Sequence, residues 1–244
     1  MIPSRLTVRL LALSILCTGF VIVVVNILIY RARIVFAVLH PEYVSEQPAT
    51  ISRALSAPQV GEPFAIWMAI CAPILFFGVS ALVYGAWREQ ARTGPTDRGI
   101  FWLSLIVVLL QAMASVGMVL LSHYRFPDHH EMHMVGSYLF FFSQAFVVVF
   151  GEFLSRRHGA LEEGRSFMDK RGGNLRRVYI WVPVCLGVAY LFLFVIKGYD
   201  LGPISVPLYA AYTVTEPMLL SSFLGYVLSY HFDMGRAIWR YLRA

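Results

Sequence analysis

The stretch Tyr209–Tyr230, YAAYTVTEPMLLSSFLGYVLSY, is almost wholly apolar, yet it carries Glu216 near its middle with Pro217 directly after it. As a helix it is long enough to cross a hydrocarbon core about 30 Å thick, which takes about 20 residues. A charged side chain at the centre of such a helix costs roughly 2.5–3.5 kcal/mol on insertion scales, so Glu216 is expected to face the bundle interior or a wet cavity. Pro217 has no amide hydrogen and deprives the Thr213 carbonyl of its helical partner. It also biases Glu216 away from ideal helical angles. Membranes tolerate such an interruption where protein or water covers it. Tyr209, Tyr212, Thr213 and Glu216 fall on one helical face, and a rise of 1.5 Å per residue puts Glu216 about 15 Å below the outer surface. Two readings of the carboxyl stand: a binding or catalytic group in a cavity, or a structural acid bonded to a tyrosine or glutamine of a neighbouring helix.

The rest of the chain has the same character. Of its 244 residues 58% are hydrophobic and 14% charged, a balance outside that of soluble domains. The expected fold is all-α: a polytopic membrane protein, one domain made of a six-transmembrane-helix bundle. The spans run over about 10–29, 63–87, 100–122, 133–154, 178–197 and 206–231. The first follows Arg5 and Arg9 as a secretory signal would, but its apolar run is long and no small-residue cleavage site follows, so it reads as a retained helix. Cys17, Cys71 and Cys185 all fall within spans, which points away from a disulfide framework.

Fifteen of the twenty Lys and Arg residues lie before span one, between spans two and three, between spans four and five, or after span six. The positive-inside rule therefore puts both termini in the cytoplasm. Topology and anionic inner-leaflet headgroups account for the net charge of +6, and no nucleic-acid module is implied. The loop RRHGALEEGRSFMDKRGGNLRR, 156–177, reads as a solvated connector. Residues 30–62 on the outer side are long enough to form an ordered cap.

Polar residues in the other spans repeat at helical spacing: Ser14, Thr18 and Asn26; Ser104, Gln111, Ser115 and Ser122; His133, Ser137 and Gln144. Such stripes commonly serve interhelical hydrogen bonding. At the start of span four, HYRFPDHHEMHMVG (123–136) gathers His129, His130 and His133, spaced so that pairs share a face. A metal site with Glu131 or Asp128 is one reading; hydrogen bonding or contact with lipid headgroups is another. The spacing is not the H-E-x-x-H of metalloproteases. No mid-span histidine pair is present to hold a haem, and no cofactor is expected.

These residues assemble into a pattern that resembles the Frag/DRAM/Sfk superfamily, which includes the damage-regulated autophagy modulators and the post-attachment factors that remodel GPI-anchor lipids. The outer segment QPATISRALSAP supplies Pro48, Ile51, Ser52 and Pro58. His133-Met-Val-Gly136 is similar to the His-x-x-Gly of the autophagy-modulator branch and His130-Glu131 to the His-Glu pair of the GPI-remodelling branch. Glu216 and Asp233 are spaced as in both branches. The chain departs from human-type members in one extra residue between Pro48 and Ile51, in Pro217, and in a richer histidine cluster. It has no glycosylation sequon in its outer loops, and its basic residues are nearly all arginine. Those features fit a cell or inner membrane of a microbe; a eukaryotic member would sit in the Golgi, ER or endolysosomal membrane.

The resemblance implies a protein that handles lipid from the outer or lumenal leaflet and exchanges, adds or removes an acyl chain, GPI-anchor-like or otherwise. In that reading Glu216 is a buried acid or base, and His133, His130 and Glu131 are general bases or headgroup contacts. Substrate contacts are expected from Ser52, Arg53, Arg125, Ser137, Gln144, Tyr209, Tyr212 and Thr213. A non-enzymatic module that binds lipid or a partner membrane protein is the alternative, and a proton-coupled transporter relaying through Glu216 a weaker one. No serine or cysteine nucleophile motif stands out from the sequence.

Overall fold

The computed structural model describes residues 2–95, 97–161 and 167–244, and these are helical with no strand among them. The helices, in chain order, are α1 (Arg5–Leu39), α2 (Pro41–Glu46), α3 (Ile51–Ala54), α4 (Pro58–Thr93), α5 (Arg98–His123), α6 (His130–Gly159), α7 (Lys170–Tyr179), α8 (Trp181–Ile196), α9 (Ser205–Leu228) and α10 (His231–Leu242). Residues 162–166 of the long basic loop, Arg165 among them, lie outside the described residues.

Five helical stretches are long and apolar enough to cross a membrane: α1, α4, α5, α6, and the run from Lys170 to Ile196 that combines α7 and α8. These coincide with the first five expected spans, but several are longer. The 35 residues of α1 reach about 52 Å at 1.5 Å per residue, longer than the roughly 30 Å a hydrocarbon layer needs, and the C-terminal end of the helix leads into the cap of α2 and α3. The sixth expected span, α9, has the length at 24 residues but is not among the five, because Glu216, Pro217 and several hydroxyl-bearing residues dilute its apolarity. The helix runs through Pro217, and Leu228 ends it. His231, expected inside the span, begins the separate α10.

The stripes of polar residues face inward. Ser14, Thr18, Ser104, Gln111, Ser115 and Ser122 are all buried. Ser115 Oγ donates to the Ala72 carbonyl at 3.1 Å and Ser221 Oγ to Asn26 Oδ1 at 2.7 Å, so hydroxyls and amides join helices where lipid offers no partner. Small residues set the tightest contact. Gly117 and Gly136 lie against the backbone of the facing helix at the α5–α6 crossing, where a Cβ would have no room. By contrast α8 buries only Pro183; it packs antiparallel to α9 and makes little contact with α6.

At the end of the bundle that holds both chain termini, α10 packs along the first half of α1. Here Asp97 caps α5 by accepting from the Gly99 amide at 2.7 Å and pairs with Arg157 at 3.2 Å. Arg176 of α7 and Asp233 of α10 form an ion pair of 2.6 Å with both side chains buried. Arg176 Nε also donates to Ser155 Oγ at 2.9 Å, and the Asp169 amide donates to Asp233 at 3.0 Å. Gly172 lies against the Asp233 carboxylate with no space for a side chain. Removing one partner of a buried pair leaves the other charge uncompensated, at a cost of about 3–5 kcal/mol. Asp233→Ala is therefore expected to lower the thermal unfolding midpoint of detergent-purified protein sharply. Arg157→Ala, where both Arg157 and its partner Asp97 are partly exposed, should shift it little.

Candidate functional site

The cap, residues 40–57, begins as a problem of local stability, since a helix of four residues cannot hold itself together in isolation. Helix α3 is fixed from two sides. Thr50 Oγ1 accepts from the Arg53 amide at 3.0 Å as an N-cap. The Ile51 amide, one of the orphan donors of a helix start, donates to Glu216 Oε2 at 2.8 Å. Ile51, Ala54 and Leu55 are buried in the core beneath. The carboxyl group in the middle of α9 thus has a backbone partner supplied by the cap, where the sequence suggested a tyrosine or glutamine.

With Ile51 held, the next two residues are placed. Ser52 Oγ lies 3.0 Å from His133 Nε2. The other ring nitrogen, Nδ1, is 3.0 Å from the carbonyl of Leu121 and 3.0 Å from that of Tyr124, at the end of α5 where helical carbonyls run out of amide partners. The close α5–α6 crossing at Gly136 brings those carbonyls within reach. Arg53 stacks its guanidinium over the Tyr43 ring at 5.0 Å; its Nε is buried without a hydrogen-bond partner among the described residues.

Ser52, Arg53 and His133 stand at the polar end of a cavity of about 1010 Å³ bounded by α6, α8, α9 and the cap. This is the upper end of the range of roughly 300–1,000 Å³ typical of ligand sites. Tyr43, His130, Tyr209, Tyr212 and Lys197 complete that end, and the remainder is a shaft of apolar side chains that includes Phe141, Phe146, Val188, Leu191 and Phe223. Lys197 Nζ donates to Tyr212 Oη at 3.2 Å, and Tyr212 in turn bonds Tyr190 Oη at 3.2 Å across stacked rings. Two fixed cations therefore face one end of the cavity while no carboxylate among the described residues lines it. Such an end suits an anionic group.

A family model described as the Frag1/DRAM/Sfk1/Cwh43P N-terminal domain matches residues 6–237. The chain belongs to this family. Comparison with curated proteins and with solved structures finds no match in either. The family pattern read from the sequence converges in space at the cap. Ile51 is bonded to Glu216, Ser52 to His133, and Gly136 opens the crossing that supplies the His133 acceptors, while Pro58 occupies the first turn of α4. Asp233 is separate, at the opposite end with Arg176.

Other expected residues of this family member divide between the cavity and elsewhere. Ser137 lines the large cavity and also a small one of about 60 Å³ beneath α3, which Gln144 and Glu216 border. Glu216 was expected in a cavity or at the bundle interior; its carboxyl borders this smaller space and not the large cavity, and bonds the Ile51 amide of the cap. Thr213 is buried and spends its hydroxyl on the Ala210 carbonyl of its own helix. Arg125 lies across Gly61, away from the cavity. Glu131 is exposed and does not line it.

The three histidines part company: His129 packs on Tyr124, His130 on Phe126, and His133 is turned inward. No group of three metal-ligating side chains occurs among the described residues. Sequence reading missed Tyr43, Tyr190 and Lys197. Their signal was present but weak, as a lysine at the very end of span five, a tyrosine within an apolar run, and a tyrosine in the polar stretch HPEYVSEQ, 40–47.

Hydrogen bonds to charged groups contribute about 1.5–3 kcal/mol, and a buried donor left unpaired costs a similar amount. Glu216→Leu is expected to destabilise the protein by an amount of this order and to free the cap, read as faster amide exchange at Ile51–Ala54. Glu216→Gln keeps an acceptor oxygen for the Ile51 amide and should retain most of the protection. Equal exchange in wild type and Glu216→Leu would show that the bond does not hold the cap.

Proposed function

We propose that this protein binds a membrane lipid in the large cavity and acts on lipids of the outer or lumenal leaflet. The phosphate-bearing headgroup sits at the cap against Arg53 and Lys197, and an acyl chain lies in the shaft between α6, α8 and α9. The observation that carries this reading is the polarity of the cavity, cationic and hydroxyl-rich at one end and apolar along the rest. A soluble metabolite would leave that apolar length unused. A phospholipid or a GPI-like glycolipid, with one charged end and one hydrocarbon end, suits both parts. The loose contact between α6 and α8 supports lateral access from the bilayer.

Charge and packing together support an orientation. α9 runs antiparallel to α8, with Tyr190 beside Tyr212 and Tyr179 Oη donating to the Ser222 carbonyl at 3.3 Å. Two helices paired over that length are suited to cross the same layer, which supports α9 as a sixth crossing. Tyr212, Thr213, Glu216 and Ser222 of α9 are buried, and the helix packs on α1, α3 and α8. The arginine-rich loops then lie in the cytoplasm with both termini. The cap, with the headgroup end of the cavity, faces the outside or lumen.

Native mass spectrometry of gently extracted protein is expected to find one phosphate-bearing lipid per chain. Arg53→Ala combined with Lys197→Ala should reduce its occupancy about 10–100-fold, from the loss of charge-assisted hydrogen bonds of about 1.5–3 kcal/mol. Gly187→Phe offers a second approach, because Gly187 lines the shaft and has open space where a side chain would project. A ring there should exclude the acyl chain while leaving the unfolding midpoint near that of wild type. A wild-type protein that carries no lipid, or lipid retained unchanged in both variants, would overturn the proposal.

A further inference from the structure

We infer that Ser52 and His133 form a nucleophile and base pair that accepts an acyl group from the bound lipid. This rests on the reading of the cavity as a lipid site and names the chemistry performed there. Both atoms facing His133 Nδ1 are backbone carbonyl oxygens, at 3.0 Å each, and carbonyls only accept. Nδ1 therefore carries the hydrogen, and in a neutral imidazole Nε2 is left as a bare lone pair. Ser52 Oγ lies 3.0 Å from Nε2, so its hydroxyl donates to the ring. A serine hydroxyl bonded to an imidazole whose far nitrogen is held by a third group is the general geometry of an activated oxygen nucleophile.

The orienting group here is the end of a helix in place of a carboxylate. The Leu121 and Tyr124 carbonyls lie at the C-terminal end of α5, where unpaired carbonyls carry the negative pole of the helix dipole. They fix the tautomer, and they stabilise the imidazolium that forms when the ring takes a proton. Ser52 is half-buried, and both Ser52 and His133 line the cavity at the junction of its cationic end and its apolar shaft. That junction is where the ester linkage of a bound lipid falls when its headgroup and chain occupy the two parts. Arg53 follows Ser52 directly and lines the same end of the cavity. Glu216 is a positioning residue, acting through the Ile51 amide.

The step balances without a redox partner. Ser52 Oγ bonds to the ester carbonyl carbon as its proton passes to His133 Nε2. The tetrahedral oxyanion collapses, the bond from the acyl carbon to the lipid oxygen breaks, and His133 returns the proton to that oxygen. The products are a lysolipid alcohol and acyl-Ser52. Water, or the hydroxyl of a second lysolipid, then gives its proton to Nε2 and attacks the acyl carbon. Ser52 Oγ leaves and recovers the proton. Water yields a free fatty acid; a lysolipid yields an exchanged lipid.

The test uses the full-length protein in vesicles of phosphatidylcholine and phosphatidylglycerol with isotope-labelled acyl chains, alongside a fluorophosphonate probe. Peptide mass spectrometry is expected to find the probe, and the labelled acyl group, on Ser52. Ser52→Ala should abolish both. His133→Asn places an amide N–H near the Nδ1 position, which keeps the bonds to Leu121 and Tyr124 while removing the base, and should slow labelling about 100-fold or more. Native mass spectra of both variants should retain the lipid adduct of wild type, which separates lost chemistry from a lost fold. Wild-type protein that carries lipid yet leaves Ser52 unmodified, or equal modification in Ser52→Ala, would overturn the pair and leave lipid binding intact. Absence of lipid from wild type would remove the reading beneath it.

Discussion

The hydrogen bond between Glu216 and the Ile51 amide joins two parts of the molecule that nothing local would bring together. Helix α3 is too short to persist by itself, and a carboxyl in mid-bundle is too polar to remain unpartnered in a medium without water. Each meets the need of the other. Once the bond forms, Ser52 is set against His133 and Arg53 against the cavity, because one turn of helix leaves them no other direction. The cap thus becomes a rigid roof whose polar atoms point to specified places.

The cavity beneath that roof exists because α8 packs along α9 and makes little contact with α6. Lys197, Tyr212 and Tyr190 join it to α9 near the cap, and Tyr179 does so lower down. Between these ties α8 buries little else, so the space between it and α6 is left unfilled. The opposite crossing, α5 on α6, is closed by Gly117 and Gly136 to backbone contact. One side of α6 is therefore packed without room while the other faces an open shaft, and His133 lies at the upper rim between them. The two ends of the bundle also differ in kind. At the cap, polar groups face a cavity; at the terminal end, Arg176 and Asp233 face each other and are closed off by Gly172 and Tyr230.

Helical class, the first five crossings and the inward faces of the polar stripes were legible in the chain itself. Length of apolar run and period of polar residue are properties of a single helix, and the bilayer penalises any other arrangement. The resemblance to the family was legible for a similar reason, since its residues occur in order along the chain. The importance of Glu216 could be read too, as a carboxyl out of place. Its partner could not, because the Ile51 amide is a backbone group and leaves no mark in side-chain chemistry. Ser52 was legible as a member of the family pattern and an expected substrate contact, but its place 3.0 Å from His133, 81 positions away, was not, because that pairing depends on how the cap and α6 meet.

Arg125 and Glu131 had the residue types and the location along the chain of site residues and face elsewhere, whereas Lys197 and Tyr190 looked like span boundary and span filler and line the cavity. Periodicity specifies which side chains share a face, and hydropathy specifies that the face is inward. Neither specifies the rotation of one helix about its axis relative to its neighbour or the distance between them, since those depend on glycine contacts, aromatic ties and a capping bond made by residues remote in sequence. The membrane helices and their polar faces belong to the sequence, through the solvent in which it must fold. The meeting of Glu216 with Ile51, of Ser52 with His133, and the cavity they border belong to packing, because only packing sets which face meets which.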